Sequence, residues 1–83
     1  MAGEFYNVYV LRSLTAPERR YTGATGNLES RLRAHNCGRC PHTAKHVPWK
    51  IEIAVAFRCK ERAVAFEKYL KSHSGRAFAK RHF

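Results

Sequence analysis

From Phe5 to Leu11 the chain reads FYNVYVL, with Tyr6, Val8 and Val10 alternating with Phe5, Asn7, Tyr9 and Leu11. A period of two in β-branched and aromatic residues predicts a strand. After a polar stretch with Pro17, a second short strand is expected over Arg20–Thr22, ended by Gly23 as a structural turn and by Gly26. These strands should form a hairpin with a long, mobile loop. Asn27 is a good N-cap and Glu29 falls in the first turn, where the helix dipole favours a carboxylate, so a helix is expected from Leu28 to about His35. Asn36 and Gly38 stop it.

Residues 36–48 hold Gly38, two prolines, two cysteines and two histidines without periodicity, which predicts a functional or lid-like loop. Trp49–Phe57 alternates cleanly and predicts a strand with Trp49, Ile51, Ile53, Val55 and Phe57 on one face. Core packing is the expected place of Trp49. Lys60–Lys71 reads as a helix, and Ser74 is expected to cap a last short one from Gly75 to about His82. The order β-β-α-β-α-α predicts an α+β domain, a three-stranded antiparallel sheet flanked by helices.

At 83 residues the chain has room for one core and one domain, residues 1–83. No apolar run approaches the ~20 residues that span a bilayer. Met1–Glu4 shows none of the features of a signal peptide, and an odd count of 3 cysteines fits a reducing compartment, so a cytoplasmic location is expected. Charge changes the picture most. With 16 Lys and Arg against 6 Asp and Glu, a net charge of +10 makes a field that attracts polyanions, nucleic acid foremost. The basic residues are scattered along the chain, which argues against a membrane-surface helix.

The candidate chemistry lies where residues break the hydrophobic pattern. Leu28, Arg31, Leu32 and His35 share one helical face, so Arg31 and His35 stand one turn apart beside an apolar stripe. On the later helix Ala63, Phe66, Glu67 and Leu70 form the stripe, placing a carboxylate where an apolar residue is expected. Singly these have plain structural readings: a Glu67–Lys71 salt bridge, a surface Arg31, a helix-end His35, and cross-strand packing of Tyr9 with Tyr21. Together, Asn7-Val8-Tyr9, Tyr21-Thr22-Gly23, Arg31-x-x-x-His35 and Glu67 resemble the motifs of the GIY-YIG nuclease family, over nearly the whole chain and most of all its small stand-alone bacterial members. Asn7 stands where the family has glycine. The polar residue found late in many members has no clear counterpart around Ser72–Ser74.

The resemblance implies a metal-dependent endonuclease acting on DNA, possible structure selectivity, a role in DNA repair or processing, and products with a 5′-phosphate and a 3′-hydroxyl. It implies Tyr9 as general base, with Tyr21 and His35 positioning water or phosphate, and Glu67 as the ligand of one Mg²⁺ or Mn²⁺. The residue types suit those tasks. A carboxylate oxygen suits a hard cation, Arg31 offers a bidentate fork to phosphate, and a phenol of pKa about 10 serves as a base only if a cation or hydrogen bond lowers it. Arg33, Arg39, Lys45 and His46 are candidate nucleic-acid contacts. Cys37, Cys40, His42 and His46 are zinc-type ligands, but the histidines follow the cysteines without the usual spacer, so a plain loop is the expectation and Zn²⁺ is not. No obligate protein partner is inferred. Two readings compete with the enzyme: a binding module that kept the fold but lost catalysis, and a small zinc-bearing interaction protein.

Overall fold

The structure is a computed structural model and describes residues 5–83. The reading that no leader is present rests on Met1–Glu4, which lie outside the described residues. The elements are β1 (Tyr6–Ser13), β2 (Arg20–Thr25), α1 (Leu28–Asn36), a 3-10 turn (Ala44–His46), β3 (Trp49–Phe57), α2 (Lys60–Lys71) and α3 (His73–His82). The sheet has the order β2-β1-β3 with both pairings antiparallel, so the expected class and element order hold. No helix among the described residues is long and apolar enough to cross a membrane.

Four local expectations are corrected. Gly23 does not turn the chain: it lies within β2, paired with Tyr9 of β1, and the strand continues to Thr25. The turn comes at Gly26 and Asn27, where Thr25 Oγ1 accepts the Asn27 N–H at 3.1 Å and Asn27 Oδ1 accepts that of Ser30 at 3.0 Å. The hairpin loop is tied down. Ser13, which ends β1 fully buried, accepts the Ala16 N–H at 2.9 Å and donates to the His46 carbonyl at 2.7 Å. The last helix is capped by Ser72 instead of Ser74: Ser72 Oγ accepts the Gly75 N–H at 3.1 Å, and Ser74 falls in the first turn.

The fourth correction concerns β3. Its register against β1 shifts between Val10 and Leu11, so that Ile53 faces Val10 while Ile51 faces Leu11 and Glu52 is the extra residue. Such a bulge inverts the alternation. Trp49 and Ile51 therefore pack with Tyr9 and Leu11 against Leu28, Leu32 and Val47, on the α1 side of the sheet. Ile53 and Phe57 pack with Val8 and Val10 against Ala63, Phe66, Leu70 and Phe78, on the side of α2 and α3. The odd-numbered residues of β3 thus do not share a face. Glu52, pushed out by the bulge, pairs with Arg12 at 2.8 Å and Arg20 at 3.4 Å.

Candidate active site

Tyr9 lies in the central strand and its side chain turns to the α1 face, where it is 1% exposed. Gly23 makes the slot for it: a Cβ at Gly23 would stand 2.6 Å from Tyr9 Cζ, which no real contact tolerates. This is why a glycine occupies the middle of a strand. His35, near the C-terminus of α1, is wholly buried. Its Nε2 lies 3.0 Å from Tyr9 Oη and its Nδ1 lies 2.8 Å from Thr43 Oγ1. The Tyr21 ring, carried by the neighbouring strand, is 4.9 Å from the His35 ring and 6.4 Å from that of Tyr9. Arg31, one turn before His35, is exposed, and its guanidinium stands beside the Tyr9 hydroxyl.

The electrostatics follow from that burial. Desolvation raises the Tyr9 pKa above its ordinary value, and the neighbouring Arg31 pulls it down without overcoming burial. The base expected from the sequence is therefore a neutral phenol at rest. Burial lowers the pKa of His35, with the Arg31 charge adding to the effect, so neutral imidazole is favoured. Arg31 is held all the more firmly charged by Tyr9.

Tyr9, Tyr21, Arg31 and His35 are thus brought together on one face. Glu67 is on α2, which packs on the other face, and its described contact is with Lys71 Nζ at 2.9 Å. That is the ion pair its spacing allows. A cavity of about 510 Å³ on the α2–α3 side, lined by Val10, Thr22, Ile53 and Leu70, reaches Tyr21 of the edge strand β2. Ser72, in the stretch where many family members carry a late polar residue, is engaged as the cap of α3.

The loop over the site is held by residues that carry no sequence signal of their own. Asn36 brackets Trp49, accepting its N–H at 2.6 Å and donating to its carbonyl at 3.0 Å. Trp49 Nε1 donates to the Thr43 carbonyl at 2.8 Å, which sets Thr43 under His35. Among the described residues no three His, Cys, Asp or Glu are grouped to hold a metal, Cys37, Cys40, His42 and His46 included. Arg39 and Lys45 are exposed on this loop, Arg33 is exposed and pairs with Glu29 at 3.4 Å, and His46 is half-buried, edge-on to Trp49.

The chain is 36% identical over 74 residues to the structure-specific endonuclease subunit SLX1 of Candida dubliniensis, covering 81% of the chain and 26% of that protein. It is 39% identical over 75 residues to the subunit of the same name in Debaryomyces hansenii, covering 82% of the chain and 22% of the relative. A UPF0213 protein of Bacillus licheniformis is 38% identical over 55 residues, 65% of this chain and 57% of its own length. The chain thus spans about a quarter of each yeast relative. A match to the GIY-YIG catalytic domain runs over residues 5–81, from the first strand to the last turn of α3 and across every residue of the Tyr9–His35 contact, and the chain belongs to that family.

Proposed function

We propose that the chain is a divalent-metal-dependent endonuclease that hydrolyses DNA phosphodiester bonds, with residues 1–83 acting as one nuclease domain in the cytoplasm. The observation that carries this reading is the buried 3.0 Å contact of Tyr9 Oη with His35 Nε2 beside an exposed arginine. A phenol raised by burial is a poor base on its own. It becomes a good one if its proton has an exit. Tyr9 takes a proton from the attacking water as its own passes to Nε2 of neutral His35, leaving hydroxide for phosphorus and an imidazolium behind. Arg31 forks two nonbridging oxygens, and in leaving Tyr9 for the phosphate it uncovers the hydroxyl. The P–O3′ bond breaks, giving a 5′-phosphate and a 3′-hydroxyl that takes its proton from solvent.

Glu67 would hold one Mg²⁺ or Mn²⁺. The donor fits: a partly buried carboxylate whose side chain is 20% exposed, which with water and phosphate oxygens makes a hard-ligand set. When bound, the ion neutralises charge on the phosphate and stabilises the leaving oxygen. Lys71 must release the carboxylate for this. Arg33, Arg39, Lys45 and His46 would track the backbone. Structure-selective cutting is supported by the name of the yeast relatives, and a place in DNA repair or processing is part of the same proposal. Those relatives are named as subunits, whereas this chain is proposed to act without an obligate partner.

The burial of Tyr9 to 1%, against a half-buried Tyr21, favours a second assignment in which Tyr21 meets the water and the Tyr9–His35 pair holds it in place. Under the first assignment Tyr9→Phe is the more damaging change, under the second Tyr21→Phe. The whole reading is tested by incubating the purified protein with labelled duplex, flap, fork and single-stranded DNA in Mg²⁺, Mn²⁺ or EDTA. Metal-dependent cutting is expected. Binding without cutting would make the chain a noncatalytic nucleic-acid module.

A further inference from the structure

We propose that Thr43 is a positioning residue that fixes the tautomer of His35, so that the imidazole presents a bare Nε2 to the Tyr9 hydroxyl. The argument is a count of donors and acceptors in a site closed to water. His35 and Thr43 are both 0% exposed and Tyr9 is 1% exposed, so each polar hydrogen needs a partner from the protein. The Thr43 hydroxyl can donate at 3.3 Å to the Cys40 carbonyl, which only accepts. Its oxygen is then left to accept at 2.8 Å, and His35 Nδ1 carries the hydrogen that fills it. A neutral imidazole has one such hydrogen, so Nε2 is an acceptor and receives the Tyr9 O–H at 3.0 Å.

The opposite tautomer leaves the Tyr9 O–H stranded. If Nε2 carried the hydrogen, Tyr9 would receive donors from both His35 and the neighbouring Arg31, which has only donors to offer, and its own O–H would need another acceptor. Thr43 would have to turn its hydroxyl to Nδ1 and abandon Cys40. One arrangement satisfies every group, and its hydrogens all run the same way, from Tyr9 through His35 and Thr43 to the Cys40 carbonyl. That carbonyl also accepts the Thr43 and Ala44 N–H groups, each at 3.1 Å, and so is fixed by the loop. Thr43 itself is seated by Trp49 through its backbone, independently of its hydroxyl.

The tautomer is read directly, without turnover, from nitrogen–proton correlation spectra of the ¹⁵N-labelled imidazole. Wild type is expected to carry the His35 hydrogen on Nδ1, and a hydrogen found on Nε2 overturns the proposal. Thr43→Val keeps the β-branch and the Trp49 bond but removes the acceptor. It should move hydrogen population to Nε2 and lower kcat about 10- to 100-fold with KM little changed. Thr43→Ser should restore both. A valine variant with wild-type tautomer and kcat would also overturn the idea. The kinetic arm rests on the nuclease reading. If wild type cuts nothing, that reading fails, while the spectra still decide the tautomer, and they do so on wild type even if the valine variant does not fold.

Discussion

At the scale of single residues, the site depends on a glycine with no chemistry. Gly23 gives the Tyr9 ring its slot, so Gly23→Ala must push the ring aside or part β1 from β2. Displacement of about 1 Å from the reacting geometry costs on the order of 100-fold in rate. We expect such a loss of cleavage in Gly23→Ala with DNA affinity nearly unchanged, and cleavage at the wild-type rate would show that Tyr9 is not held from this side. The state of His35 sets a pH dependence. It faces Tyr9 from β1, Tyr21 from β2, Thr43 and nearby Cys40 from the loop, and Arg31 from its own helix, and its pKa lies below the ordinary 6.5. Neutral His35 receives the proton, so kcat should fall on the acid side with an apparent pKa below 6.5. Stability follows the same sign. A depressed native pKa contributes stability that is present above pH 6.5 and lost as pH falls through the native value. A kcat that falls as pH rises through 6.5 would contradict the assignment of His35 as acceptor.

At the scale of elements, the periods of the sequence carry the architecture, and the misreadings come where tertiary contact overrides local signal. Clean alternation in β3 says nothing of the bulge at Glu52, because both sheet faces are covered and either accepts an isoleucine. Gly23 reads locally as a turn residue, and only the ring opposite it reveals a close approach. Tyr9, Tyr21, Arg31 and His35, which the structure brings together, are legible as a set through their resemblance to a family's motifs, whereas Glu67 stands apart on α2. Thr43 is not legible: its meaning depends on Asn36 and Trp49 folding the loop back over His35, a contact no spacing announces. The α2–α3 corner has a similar hidden requirement. A Cβ at Gly75 would overlap the Tyr69 carbonyl at the end of α2, so Gly75→Ala is expected to destabilise the fold by about 1–3 kcal/mol. Chemical denaturation measures this, and an unchanged midpoint would mean the corner relaxes freely.

At the scale of the whole molecule, the described residues form a flat body of 32 × 31 × 18 Å, with net charge +10 over the full chain. A face 32 Å across spans about nine base pairs of duplex at 3.4 Å per step, so most of its grip must come from phosphates, with little surface left for reading sequence. The candidate residues lie on two faces, with the Tyr9–His35 contact on the α1 side and Glu67 on α2. The most direct test of this account is a comparison of purified wild type with Glu67→Ala, measuring both binding and cleavage of the same labelled DNA structures in Mg²⁺. The account predicts binding retained and cleavage abolished in the variant; a variant that cuts at the wild-type rate would contradict it.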